Sequence, residues 1–172
     1  MIERMTHLKN GAAVWLRPIR PEDAPGLIDL YGRLSSETVY QRFFAPAGSL
    51  SWARAYVFAT VDYDDRFAIV AERGDAEPPR LIGVARYERA QTAAALGEIA
   101  LVVEDRWQRL GLGTLLLDEI LAEAAAHGIR ELRADVLSHN RPMLHLLAQR
   151  TEIIRRTTDN GITEIHLRRR AG

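Results

Sequence analysis

The chain has 172 residues, 23 basic and 23 acidic side chains, and therefore a formal charge of zero. That length suits one domain with a substantial core, and the charge balance supplies no field to draw the chain onto nucleic acid or a membrane surface. Cysteine is absent, which removes disulfides, thiolate metal ligands and a cysteine nucleophile, and fits a cytoplasmic protein.

Residues 13–19 read as a first strand, stopped by Pro21. Pro21, Glu22 and Asp23 open a helix, because proline is tolerated in a first turn and acids there favour the helix dipole. Leu27, Ile28, Leu30, Tyr31 and Leu34 give that helix an apolar stripe. The run Ser35-Ser36-Glu37-Thr38 offers an N-cap for a second, short helix through Phe43 and Phe44, which Pro46 and Gly48 end. Ser51 caps a third piece over 52–59. From Phe67 the period changes: 67–71 and 81–87 are strand-like runs joined by a polar, proline-bearing segment, as in a hairpin with a loose loop.

A further strand covers 98–103, followed by a turn over 105–113 and a helix over 112–127. Leu112, Leu116, Ile120 and Ala124 form the inner stripe of that helix, and Gly128 stands where a C′ glycine belongs. Residues 129–137 read as a strand, and a helix runs from Asn140 to about residue 150. Asp159-Asn160-Gly161 marks a hairpin between 152–157 and 162–167. The expected fold is a mixed α/β sheet with antiparallel ends, in one domain over residues 1–172. No apolar run reaches the roughly 18 residues of a bilayer span. Residues 1–7 lack the apolar stretch of a signal peptide. The five histidines show no ligand spacing, so no metal is expected.

The turn over 105–113 leaves backbone N–H groups unpaired at a helix entrance, where the dipole is positive, and so forms an anion site made of main chain. Three phosphate motifs compete for it. A P-loop needs Gly-Lys-Ser/Thr, but Thr114 follows Gly113 directly. A dinucleotide fingerprint needs a third glycine where Leu116 stands. The pattern Gln/Arg-x-x-Gly-x-Gly/Ala is met as Gln108-Arg109-Leu110-Gly111-Leu112-Gly113. Gly111 and Gly113 let the main chain approach phosphate oxygens without a Cβ in the way.

With that motif the chain resembles the GNAT N-acetyltransferases, whose acetyl-CoA pyrophosphate site carries it. The likeness covers nearly the whole chain. Residues 34–44, with 83–87 and 98–103, are similar to the GNAT domain of the bacterial Pat-type protein lysine acetyltransferases. The resemblance implies a central sheet of six to seven strands flanked by helices, with strand 98–103 splayed from 133–137 to admit acetyl-CoA. Val102 and Val103, with Glu104, match the positions whose backbone pairs with the pantetheine arm. The amides of Leu110, Gly111, Leu112, Gly113 and Thr114 would converge on the pyrophosphate, with Gln108 and Arg109 adding side-chain contacts. Asn140 matches the asparagine of the second CoA-binding helix. The tyrosine that many family members place seven residues later, as acid for the leaving thiolate, is Leu147 here.

Glu98 is a carboxylate opening a strand flanked by apolar Ile99 and Leu101, where such a group is unexpected unless it is used. It also matches the general base of the Pat-type group. Glu104 and Asp105 are expected to fix the shape of the turn. His139 and His145 read as surface residues, Arg168–Arg170 as a solvated tail, and Trp15, Trp52, Trp107, Phe43 and Phe44 as core or lid. Phe43 and Phe44 could also line an acceptor cleft. The expectation is acetyl transfer from acetyl-CoA to a primary amine, with a protein lysine ε-amine favoured, by a monomer or homodimer that touches neither nucleic acid nor membrane. A small-molecule amine as acceptor, and a non-catalytic acetyl-CoA sensor, stay open as alternatives.

Overall fold

The computed structural model describes residues 3–46 and 48–170; residues 1, 2, 171 and 172, the ends of the expected 1–172 domain, lie outside the described residues. Strand β1 (Arg4–His7) hairpins onto β2 (Ala13–Pro18). Three helices follow, α1 (Ala24–Arg33), α2 (Ser36–Phe43) and α3 (Trp52–Ala59), then β3 (Arg66–Arg73), β4 (Leu81–Arg89) and β5 (Leu96–Val103). Helix α4 (Leu112–Ala126), β6 (Glu131–Leu137), α5 (Arg141–Arg150), β7 (Thr151–Asp159) and β8 (Ile162–Arg169) complete the chain. The strands make one eight-stranded sheet in the order β1-β2-β3-β4-β5-β6-β8-β7. All neighbours are antiparallel except β5 and β6. The count exceeds the expected six to seven because β1, four residues with no buried position, carries no apolar pattern to announce it.

Local chemistry sets most boundaries as the sequence suggests. Ser35 and Ser51 cap α2 and α3, their hydroxyls accepting the amides of Thr38 and Arg54. The residues Pro21–Asp23 form a 3-10 turn rather than the first turn of α1. There the Asp23 carboxylate receives the Arg20 amide at 2.7 Å and the Arg17 guanidinium at 2.8 Å. Asn160 and Gly161 turn the last hairpin with φ of 47° and 77°, the paired left-handed residues of a type I′ turn.

Two cores sandwich the sheet. Leu112, Leu116, Leu117 and Ile120 of α4 pack with Leu16, Ile69, Ala85 and Tyr87 on one face. Leu27 and Leu30 of α1, with Ala55 and Ala59 of α3, pack on Val70, Val84 and Val102 on the other. Each buried Leu, Ile or Val among them contributes about 1.5–3 kcal/mol. Trp107 joins the first core, whereas Trp52 is 59% exposed and belongs to neither, so the core half of its reading does not hold.

Candidate active site

The parallel pairing of β5 and β6 is confined to Leu96↔Glu131, Gly97↔Leu132 and Glu98↔Arg133. Beyond that seam β5 stays with β4 through Gly83↔Val103, while β6 stays with β8 through Leu137↔Ile162. The strands therefore part into a V. The Glu104 amide donates to the Ile82 carbonyl on β4 at 2.9 Å. By antiparallel alternation, Val102 and Ala100 also spend their backbone groups on β4, and Ile99, Leu101 and Val103 turn theirs into the V. The Gln108 side-chain amide, reaching the Val103 carbonyl at 3.0 Å, confirms that phase. The free strand edge is thus built from Leu101 and Val103. Val102 and Glu104, expected to share in it, face the other way.

At the open end of the V stands the N-terminus of α4. Arg109 and Gly111 are left-handed, at φ 62° and 93°, and Gly111 is the N-cap with no side chain closing the helix. The first intrahelical bond is Leu115 N–H to the Gly111 carbonyl, so the amides of Leu112, Gly113 and Thr114 precede the helical ladder. The Leu110 carbonyl is taken by the Lys9 amide at 3.1 Å, and the aliphatic Lys9 side chain would lie 3.7 Å from a Cβ at Gly111. Asn140 is buried and caps α5 through its Oδ1, accepting the Met143 amide at 3.3 Å. Gly111, Gly113, Thr114 and Asn140 all line one cleft of about 760 Å³, which also contains Glu98.

The turn's carboxylates hold its shape. Glu104 is buried against Arg33 at 3.2 Å, and Asp105 accepts the Ser35 amide and the Ser35 and Thr38 hydroxyls at 2.6–2.9 Å. Burial opposes the Asp105 charge, yet these hydrogen bonds keep its carboxyl below the ordinary value. Glu98, at the seam, faces away from α4 on the same side of the sheet as Val102. It is ion-paired with Arg133 and lies opposite Glu88 of β4, its side chain 59% exposed. A carboxylate thus sits where the V closes, open to solvent on the α2–α3 side, while helix amides without a partner among the described residues lie at the other end.

The family model of the acetyltransferase (GNAT) family matches residues 36–150. The chain belongs to the GNAT acetyltransferase family. A GNAT relative, Acetyltransferase Pat of Mycolicibacterium smegmatis, is 31% identical over 81% of this chain and 41% of its own length, so this chain spans less than half of that protein. An acetyltransferase of Pseudomonas aeruginosa is 28% identical over 92% of this chain and 85% of its own. The solved GNAT domain of S. lividans PAT is similar at a TM-score of 0.85, with 31% identity over 95% of both chains.

The structure brings Glu98, Val102, Val103, Gln108, Arg109, Gly111, Gly113, Thr114 and Asn140 into one cleft, Val102 without its backbone on the free edge. Gln108 is turned onto strand β5 rather than outward. Leu110 and Leu112 contribute to the turn by backbone, Leu112 being fully buried. Leu147 is buried at the tyrosine's place. Tyr87 also borders the cleft, but burial pushes its phenol up and its hydroxyl donates to the Asp64 carbonyl at 2.9 Å. It is a core residue. His145 is exposed on the cleft wall, and His139 is exposed outside it. The sequence reading overlooked Arg86, Arg54 and Arg42, which form the wall on the Glu98 side. Arg86 stands in an otherwise apolar strand run, the same signal that drew attention to Glu98.

Proposed function

We propose that this GNAT domain transfers the acetyl group of acetyl-CoA to a protein lysine ε-amine, by direct attack in a ternary complex. The observation that carries it is the open V of β5 and β6, with an uncapped helix entrance at one end and the Glu98 carboxylate at the other. The helix amides suit a pyrophosphate, and the edge of Leu101 and Val103 suits the amide groups of a pantetheine arm. The likeness to Pat acetyltransferases supports lysine as the acceptor.

An amine must be neutral to attack. For lysine, with an ordinary pKa near 10.4, deprotonation at pH 7.4 costs about 4 kcal/mol. Glu98, directly or through a water, accepts that proton, and Arg133 holds its carboxylate at the seam. The N–H of Leu101 or Val103 would stabilise the oxyanion that forms on the acetyl carbonyl. The collapsing intermediate expels the CoA thiolate, and the second proton shed by the amine nitrogen passes to that thiolate through water. The test is release of free CoA from acetyl-CoA in the presence of a lysine-bearing protein. Acceptor-dependent release that falls with Glu98→Gln supports the reading. Saturable acetyl-CoA binding without acceptor-dependent release from any protein sinks it.

A further inference from the structure

The acceptor side of the cleft is walled by a ladder of cations and rings. The Arg42 guanidinium lies 4.8 Å from the Phe43 ring centroid, and Arg54 lies 4.7 Å from the same ring. Arg54 also lies 5.4 Å from Phe58, and Arg86 is 4.5 Å from it, so three guanidiniums alternate with two aromatic faces. All five residues line the cleft. Rings position cations and attract them weakly, but they carry no charge to neutralise them.

None of these three arginines is ion-paired to a carboxylate among the described residues. Other half-buried arginines are: Arg33 with Glu104, Arg73 with Asp75 and Arg89 with Asp65. Arg86 has the Phe58 carbonyl at 3.0 Å instead. Enclosure by protein pulls its guanidinium down to about 10; Tyr31 and Glu88 offset part of that fall, and the like charges of Arg42 and Arg66 add to it. It remains a cation at neutral pH and is held there at a cost. Such a group gains whenever an anion docks beside it.

The wall has a defined relation to the chemistry. Arg86 pairs with Ala100 across β4 and β5, two residues from the Glu88↔Glu98 pair on the same face. Two residues of strand span roughly 7 Å. The cleft is therefore dipolar, with carboxylates where the amine must react and cations one short step away.

We infer that the acceptor bears a carboxylate close to its reactive amine, received by Arg42, Arg54 and Arg86 while the amine meets Glu98. This rests on the lysine-acetylation reading and sharpens it: the preferred target is a lysine flanked by aspartate or glutamate. The same chemistry could also come from a free amino acid. Polyamines and lysines in basic stretches are disfavoured, because they would set cations against cations.

The test measures kcat/KM for CoA release on peptides with one lysine, flanked by aspartate, alanine or arginine, beside free acidic amino acids. The aspartate peptide is expected to exceed the alanine peptide by roughly 10-fold, as befits one charge-assisted contact. Arginine flanks are expected to fall below alanine, and added salt to narrow the spread. Arg86→Gln and the exposed Arg54→Gln, each shown to fold by its thermal shift with acetyl-CoA, should bring the aspartate-to-alanine ratio towards one. Equal rates on aspartate and alanine peptides, or a ratio untouched in both variants, would overturn the inference and leave lysine acetylation standing. Turnover of free acidic amino acids but of no peptide would keep the anion site and sink the protein-lysine reading. Turnover of polyamines alone would sink both.

Discussion

Arg17 and Arg86 are both enclosed guanidiniums on strands of one sheet, and their surroundings are opposite. Arg17 lies between Asp23 and Glu72, with hydrogen bonds of 2.7–3.1 Å to both carboxylates. The bonds to Asp23 above all, outweighing burial, hold its pKa above the ordinary value. Arg86 has a carbonyl and a ring, and burial moves its pKa the other way. A cation matched by the chain's own anions joins β2, β3 and the start of α1. A cation left unmatched contributes little to the fold and is available to something outside it.

The largest expected effect tests that contrast directly. Arg17→Met leaves two carboxylates, each under a fifth exposed, without their cation, and should lower stability in urea unfolding by about 3 kcal/mol. Arg86→Met should be neutral, or stabilising by about 1 kcal/mol. Equal losses at both positions would abolish the distinction.

Glu98→Gln sharpens it from the anionic side. In the role of base proposed for it, its loss should cut kcat about 100-fold, or about 2.7 kcal/mol in the barrier. The exposed pair with Arg133 is worth little, so stability should stay within about 0.5 kcal/mol. A large fall in Tm would put Glu98 with Arg17 among the structural charges.

The two cradle glycines carry the contrast into the backbone. Gly111 is left-handed at φ 93°, so Gly111→Ala should cost about 1 kcal/mol and weaken acetyl-CoA binding in calorimetry. A Cβ at Gly113 would meet Leu146 at 3.5 Å and Leu101 at 4.0 Å, ordinary contacts, so Gly113→Ala should leave unfolding within about 0.5 kcal/mol. The smallest effect concerns Asp105. Its carboxyl lies below its ordinary 3.8, so its contribution is present above that value and fades as pH falls through the lowered one. Wild type should exceed Asp105→Asn in stability at neutral pH, and the two curves should converge below about pH 4.

What the sequence disclosed follows from how local each feature is. The entrance to α4 was legible because Gly111 answers a demand of its own φ, and Ser35 and Ser51 announced their helices by capping within three residues. Of the edge residues expected, Val103 turns into the V but Val102 and Glu104 do not, and Leu101 was passed over, because the phase of β5 is fixed by its partner β4 and not by β5 itself. The arginine wall draws on α2, α3 and β4, and only folding brings residues 42, 54 and 86 around two rings. Strand β1 escaped notice because it buries no residue, and pairing alone makes it a strand.

The three-rung seam between β5 and β6 has a mechanical meaning. Strands β1–β5 form one plate and β6, β8 and β7 another, joined by the shortest ladder of the sheet and by the core under α4. A ligand that bonds along Leu101 and Val103 would act as the missing rungs, bracing one plate against the other. Bound at one hundred times its dissociation constant, it would raise unfolding free energy by about 2.7 kcal/mol. Amide exchange at Leu101 and Val103 should slow with it, so the free edge of β5 reports its own occupancy.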